Sequence, residues 1–230
     1  MMNKWFECKV KYVKTMENGL EKKVSEAYLV DALSFTEAEK RFLEEIRPFM
    51  SGEFEVWQPS ENCRFAKYTL RGLWDWKDGI EGADIIHWNN GLWDISDLFG
   101  DGVFTPMDEY ISTMLRVARL LKERAEIVIF ATTTPVRNEN AYNKNRTIAS
   151  YNNALVPLLE EMGIVINDLY TPIATDPERY ICDDKIHLSE EGIALASDMV
   201  ETIIRREAKK LGGSKKQASP QPPKETGAPI

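Results

Sequence analysis

The chain has 230 residues, 43% of them hydrophobic, and a formal net charge of −8. That length supports one substantial core plus a small appended module, and the acidic balance disfavours bulk attraction to nucleic acid or to an anionic membrane surface. The opening Met1-Met2-Asn3-Lys4-Trp5-Phe6-Glu7-Cys8-Lys9 lacks the apolar centre of a secretory signal, and no apolar run is long enough to cross a bilayer, so a cytoplasmic protein is expected. Cys8, Cys63 and Cys182 are odd in number and widely spaced; they fit neither a disulfide framework nor a zinc site, so reduced thiols and no metal are expected.

In chain order, Phe6, Cys8, Val10 and Tyr12 alternate with charged or polar residues and Asn18-Gly19 offers a turn, which predicts a β-hairpin over residues 1–26. Lys9, Lys11, Lys14, Lys22 and Lys23 make it basic, as a solvated edge that resists strand addition would be. A first core strand is predicted from Ala27 to Leu33. A helix follows, with Thr36 as N-cap and Glu39 three residues on, ending near Pro48. Further strands are predicted at Glu53 to Trp57, Ala83 to Trp88, Glu126 to Ala131 and Ile164 to Asn167.

Helices fill the intervals. Thr105-Pro106-Met107-Asp108 starts one whose Tyr110, Ile111, Met114, Leu115, Ala118 and Leu121 recur at helical spacing. A second runs from Ile148 to Met162, closed by Gly163 with Pro157 inside it. Ser189 caps the last, with Glu190 and Glu191 in its first turn. This alternation predicts an α/β domain over residues 27–211: a three-layer sandwich around a five-stranded parallel sheet, preceded by the hairpin. From Gly212 the Gly, Ser, Lys, Gln and Pro content predicts a disordered tail over 212–230.

In such a sheet, chemistry gathers beyond the carboxyl ends of the strands. One segment there reads Asp184-Lys185-Ile186-His187-Leu188-Ser189. An Asp three residues before a His, just ahead of a helix, can orient the imidazole and leave its far nitrogen free as a base toward a nucleophile. Another, Asn89-Asn90-Gly91-Leu92-Trp93-Asp94, offers a glycine and side-chain amides that can donate to a developing oxyanion; the same residue types also make ordinary turns. His87, inside a strand, reads as structural. Trp57, Trp74, Trp76, Trp88 and Trp93 suit a sugar-stacking cleft and a packed core equally well.

From about residue 53 to 211 these segments resemble the SGNH/GDSL hydrolases, most closely bacterial members related to carbohydrate acetylesterases. The likeness is carried by Trp57-Gln58-Pro59-Ser60-Glu61-Asn62-Cys63-Arg64-Phe65, by the Ile85-to-Asp94 segment, by Ala131-Thr132-Thr133-Thr134-Pro135, and by the Asp-x-x-His block at Asp184 and His187. Trp93 stands where the family's Gly-x-Asn-Asp block has Asn. The resemblance implies a flavodoxin-like fold, His187 as general base, Asp184 as its orienting partner, and Asn62, Asn89, Asn90 and Gly91 around the oxyanion and substrate. It further implies a small ester or acylated sugar as substrate, with no cofactor, metal, nucleic acid or membrane partner.

The family opens with a strand leading into Gly-Asp-Ser, the serine being the nucleophile. Here the expected position reads Tyr28-Leu29-Val30-Asp31-Ala32-Leu33, so Ala32 occupies the serine's place and Val30 the glycine's. Ser34 is the nearest hydroxyl, and it also reads as the lead into the cap at Thr36. Residues 5–54 resemble short uncharacterised proteins of gut Bacteroidetes and their phages, through Trp-Phe-Glu-Cys-Lys-Val and Tyr-Leu-Val-Asp-Ala-Leu-Ser-Phe-Thr-Glu-Ala-Glu. Two functions follow: a serine ester hydrolase whose nucleophile is missing from this chain, or a catalytically silent binding protein that keeps the cleft.

Overall fold

Alternation of apolar and polar residues from Phe6 to Tyr12 needs a partner strand in matching phase. In the computed structural model β1 (Lys4–Thr15) finds it in β2 (Glu21–Ala32), paired antiparallel without a break from Lys4 opposite Ala32 to Thr15 opposite Glu21. This register sets Phe6 opposite Val30, Cys8 opposite Tyr28 and Tyr12 opposite Val24, so the two alternations coincide. The structure describes residues 4–15, 21–32, 56–59 and 63–217, and the chain divides into two compact units, Met1–Gln58 and Pro59–Ile230.

The pairing corrects one expectation. Ala27 to Ala32 is the second half of β2, bonded to β1, and β2 is not a strand of the parallel sheet. Continuous cross-strand pairing with β1 outweighs the family-like spacing to the next strand. The helix expected from Thr36 to Pro48 lies outside the described residues. Of the strand expected at Glu53 to Trp57, Val56 and Trp57 are in no regular element and the rest lies outside the described residues.

The larger unit is built on three parallel strands in the order β3 (Ala83–Trp88), β4 (Ala125–Ala131), β5 (Val165–Asn167), rather than the five expected, among the described residues. Its helices are α1 (Ala66–Asp75), α2 (Lys77–Ile80), α3 (Met107–Lys122), α4 (Asn145–Glu161), α5 (Tyr170–Ala174), α6 (Pro177–Tyr180) and α7 (Glu190–Gln217). The apolar stripe foreseen for α3 is its buried face: Tyr110, Met114, Ala118 and Leu121 are all in the core. Helix α4 begins at Asn145, three residues before the expected Ile148, and continues through Pro157. Ser189 caps α7 as anticipated, its Oγ accepting from Gly192 N at 3.1 Å. That helix runs on to Gln217, past the Gly212-Gly213 pair expected to open the tail.

Both faces of the sheet are covered. Trp88, Val128 and Phe130 pack with α3 and α4 in the main core, where the Trp88 and Phe130 rings lie 4.8 Å apart. Ala131 packs on the other side with Leu169, Ile173 and Ile181, backed by Leu195, Ala196 and Met199 of α7. Strand β4, central and covered twice, is buried from Val128 to Ala131, which is why it is almost continuously apolar. His87 of β3 reaches across it to Asn167 of β5, with Nε2 and Nδ2 3.2 Å apart. With that amide donating, the imidazole is neutral and carries its proton on Nδ1.

Burial pushes the His87 imidazole below its ordinary value. A histidine that binds its proton less readily folded than unfolded withdraws stability as pH falls below about 6.5, the unfolded value, and stops doing so below its folded value. We expect urea unfolding at pH 7 and pH 5 to show a larger loss of stability in the native chain than in His87→Gln. Equal losses would show that His87 is solvated in the fold.

Candidate active site

Beyond β3 the chain must turn closely beneath Thr133 and Tyr110. Gly91 makes the turn at φ 143°, where an added Cβ would meet Thr133 Oγ1 at 2.2 Å and Tyr110 Oη at 3.0 Å; only glycine fits. Asn90 is 2% exposed. Its Oδ1 accepts from Thr69 Oγ1 at 2.9 Å and Trp88 Nε1 at 3.0 Å, and its Nδ2 donates to the Cys63 carbonyl at 2.7 Å. Its own carbonyl accepts from the hydroxyls of Tyr110 at 3.0 Å and Thr133 at 2.9 Å. Burial, and then the Asp94 carboxylate, push the Tyr110 phenol far up, so it remains a donor.

Asp94 closes the same turn. It is fully buried, Oδ2 accepting from Ala66 N at 2.9 Å and Oδ1 from Thr105 Oγ1 at 2.8 Å, so it caps the first turn of α1 from a distant part of the sequence. Burial pushes its carboxyl up, against the pull of those two bonds. Asn89 alone of the turn's amides is exposed, and its Nδ2 donates to the Ala131 carbonyl at 2.7 Å.

The second part of the site is the loop between α6 and α7. An isolated bridge between Ile181 and Leu188 closes it, reinforced by Cys182 N donating to the His187 carbonyl at 2.7 Å. At its tip Lys185 adopts φ 70°, a left-handed conformation that costs a non-glycine residue about 1 kcal/mol or more. The Lys185 carbonyl accepts from Arg137 N and Asn140 Nδ2, both at 3.2 Å. With the tip so held, Asp184 Oδ1 accepts from the backbone N–H of Ile186 and of His187, each at 3.0 Å, and Oδ2 lies 2.7 Å from His187 Nδ1. Burial pushes the Asp184 carboxyl up, but the two backbone donors and the imidazole outweigh it and hold it below the usual carboxylate range. The His187 side chain is 65% exposed, and its Nε2 makes no hydrogen bond among the described residues.

The loop after β4 joins the two parts. Asn140 Oδ1 accepts from the N–H of Tyr142 and of Asn143, while Asn143 Nδ2 donates to the Leu92 carbonyl and Ser96 Oγ at 3.0 and 2.9 Å. One continuous set of bonds therefore runs from the β3 turn to Lys185.

Of the residues expected from sequence, Asp184 and His187 are in direct contact and Asn89, Asn90 and Gly91 share one turn. The Asn90 amide is buried and donates to the Cys63 carbonyl within the turn. Ala32 ends β2 opposite Lys4 in the smaller unit; Ser34 and Asn62 lie outside the described residues. Neither described thiol of the larger unit is a ready nucleophile, because burial pushes both Cys63 and Cys182 up. The sequence reading missed Arg137, Asn140 and Asn143. Their signal was a polar, turn-rich run directly after the most buried strand of the sheet.

Residues 4–65 match a family described as a domain of unknown function, DUF4494. The chain is 32% identical over 121 residues to the GDSL esterase/lipase WDL1 of Oryza sativa subsp. japonica, covering 46% of this chain and 45% of that protein. It spans about half the length of the curated relatives it matches. Among solved structures, the acetyl xylan esterase AlAXEase superposes with a TM-score of 0.58 at 16% identity, over 72% of this chain and 89% of that one. A lipolytic G-D-S-L family member from Veillonella parvula gives 0.57 at 17%, over 71% and 87%. The chain is related to the SGNH/GDSL hydrolases. The two solved structures show a shared α/β fold, and no helix among the described residues is long and apolar enough to cross a membrane.

The buried turn makes a direct test. Asp94→Ala strips two acceptors and leaves the Ala66 N–H unpaired, and we expect a loss of about 2 kcal/mol in urea unfolding. Asp94→Asn should lose less than about 1 kcal/mol, since the Thr105 hydroxyl can rotate to accept from the new amide. Equal losses for the two variants would show that packing rather than hydrogen bonding sets the role of Asp94.

Proposed function

We propose that the larger unit is an ester-hydrolase body for acylated carbohydrate, in which the base is retained and the serine nucleophile is not supplied. The observation that carries this reading is the 2.7 Å contact of His187 Nδ1 with Asp184 Oδ2, in an exposed imidazole whose Nε2 makes no hydrogen bond among the described residues. Nε2 is the atom that takes a proton from an attacking hydroxyl, and the Asp184 carboxylate stabilises the imidazolium that results. In this reading the substrate oxygen is assigned to Asn89, exposed at the end of β3, through the Nδ2–H that does not bond the Ala131 carbonyl, together with the backbone of the turn. The pairing of β2 with β1 favours the silent form, because it draws Ala32 and its neighbours into another sheet.

Carbohydrate is favoured as the acyl carrier by an aromatic surface beside the β3 turn. Trp93 is 46% exposed and Phe99 79% exposed. Phe65 stacks obliquely on Trp93 at 5.8 Å and edge-on with Phe104 at 5.6 Å, which fixes their orientation. Rigid exposed rings offer flat apolar area to the C–H faces of a sugar at low entropic cost. The likeness to an acetyl xylan esterase points to the same class.

Two measurements test this reading. Binding of an acetylated xylo-oligosaccharide should be detectable and should weaken about fivefold in Trp93→Ala, the equivalent of about 1 kcal/mol. Hydrolysis of p-nitrophenyl acetate should be slow and change little in His187→Ala, since loss of one triad member leaves only the effect of binding and oxyanion donors, about 10³–10⁴-fold over water. Absence of binding would remove the carbohydrate assignment. Rapid turnover abolished by His187→Ala would show that a nucleophile is present after all.

A further inference from the structure

We propose that Arg137 is the positioning residue of the Asp184–His187 pair: it fixes the loop in the one conformation that turns Asp184 toward the imidazole. The proposal rests on the reading of that pair as the site's base.

The Arg137 side chain is only 17% exposed and its guanidinium is fully engaged by the loop and its approach. Nε and Nη2 both donate to the Ile181 carbonyl, at 2.8 and 2.5 Å. Nη2 also donates to the Glu178 carbonyl at 3.0 Å, and Nη1 lies 3.2 Å from both Asp183 Oδ1 and Glu178 Oε2. Its backbone N–H donates to the Lys185 carbonyl. Residues 181, 183 and 185 are therefore all held by Arg137, and Asp184 between them is left to face His187.

Two features make this more than a surface ion pair. Lys185 is in the left-handed region, which a lysine enters only when its surroundings demand it; its carbonyl is bound by the Arg137 backbone N–H and by Asn140 Nδ2, contacts that any residue at 137 keeps, so the guanidinium's own part is its hold on the Ile181 carbonyl and on Asp183, on either side of Cys182. The doubled bond to one carbonyl also needs the planar fork of a guanidinium, which a lysine cannot reproduce. Arg137 touches neither Asp184 nor His187 in this arrangement; its effect reaches them through the backbone. A shallow, open surface depression borders the loop, lined in part by Arg137, Cys182 and Asp184, so the guanidinium's place is reached from solvent.

The test reads the geometry of the pair without requiring turnover. In the full chain, the proton NMR signal of His187 Nδ1–H is followed at neutral pH in the native protein and in Asp184→Asn, Arg137→Ala, Arg137→Lys and Leu155→Ala. Leu155 is buried in α4, so its loss lowers stability without touching the loop. We expect a low-field signal in the native protein that disappears in Asp184→Asn and persists in Leu155→Ala. Arg137→Ala and Arg137→Lys should lose the signal through faster exchange of this proton. Tens of millimolar guanidinium should restore it in Arg137→Ala. Should the alanine variant not fold, the lysine variant decides alone. An unchanged signal in a folded Arg137 variant, or equal loss in Leu155→Ala, would overturn the positioning role. Absence of the signal from the native protein would instead overturn the underlying pair, and the positioning role with it.

Discussion

The larger unit depends on the buried turn after β3. A strand that ends in a polar Asn-Asn-Gly segment inside a closed core must satisfy every group it buries. Asn90 does so through five hydrogen bonds to partners on α1, α3, β3 and the loops before α1 and after β4. Asp94 adds the cap of α1 and the tie to Thr105. The price is rigidity: neither residue can leave its place without orphaning several others, and the close approach at Gly91 admits no side chain.

That rigidity is transmitted to the exposed chemistry by hydrogen bonds. Leu92 and Ser96 hold Asn143, Asn140 orders the backbone at Tyr142 and Asn143, and Asn140 with Arg137 holds the Lys185 carbonyl. His187 stands at the exposed end of this sequence of contacts, on a loop that carries strain at Lys185. The loop turns Asp183, Asp184 and His187 to solvent while Ile181, Ile186 and Leu188 pack on the cores, so polar ties decide the shape of its exposed tip.

Much of the α/β body was legible in the chain. The helical periodicity of Tyr110 to Leu121 and the apolar run into Ala131 mark elements whose burial demands such patterns, and Ser189 sits at a helix start where its hydroxyl has work to do. Asp184 and His187 were legible because three residues of separation at a loop suffice to bring their side chains together. The assignment of Ala27 to Leu33 failed for a physical reason. A short alternating segment fits any sheet edge in phase with it, and β1 lay close in sequence. The type of Asn90 suits both an oxyanion donor and a turn, and its burial and its bonds within the turn are not legible in the chain. The polar run around Arg137 marked a turn without marking its role, because the partners of its side chain are more than 40 residues away.

The structure sets His187 Nδ1 against Asp184 Oδ2, and no serine hydroxyl among the described residues hydrogen-bonds His187 Nε2; under the proposed function that pair is a base without its nucleophile. A fluorophosphonate probe followed by intact-mass analysis and peptide mapping tests that claim most directly, with a GDSL esterase of known activity labelled in parallel. The account predicts no adduct on the native chain that depends on His187. A stoichiometric adduct on a serine, lost in His187→Ala, would contradict it and would identify the nucleophile.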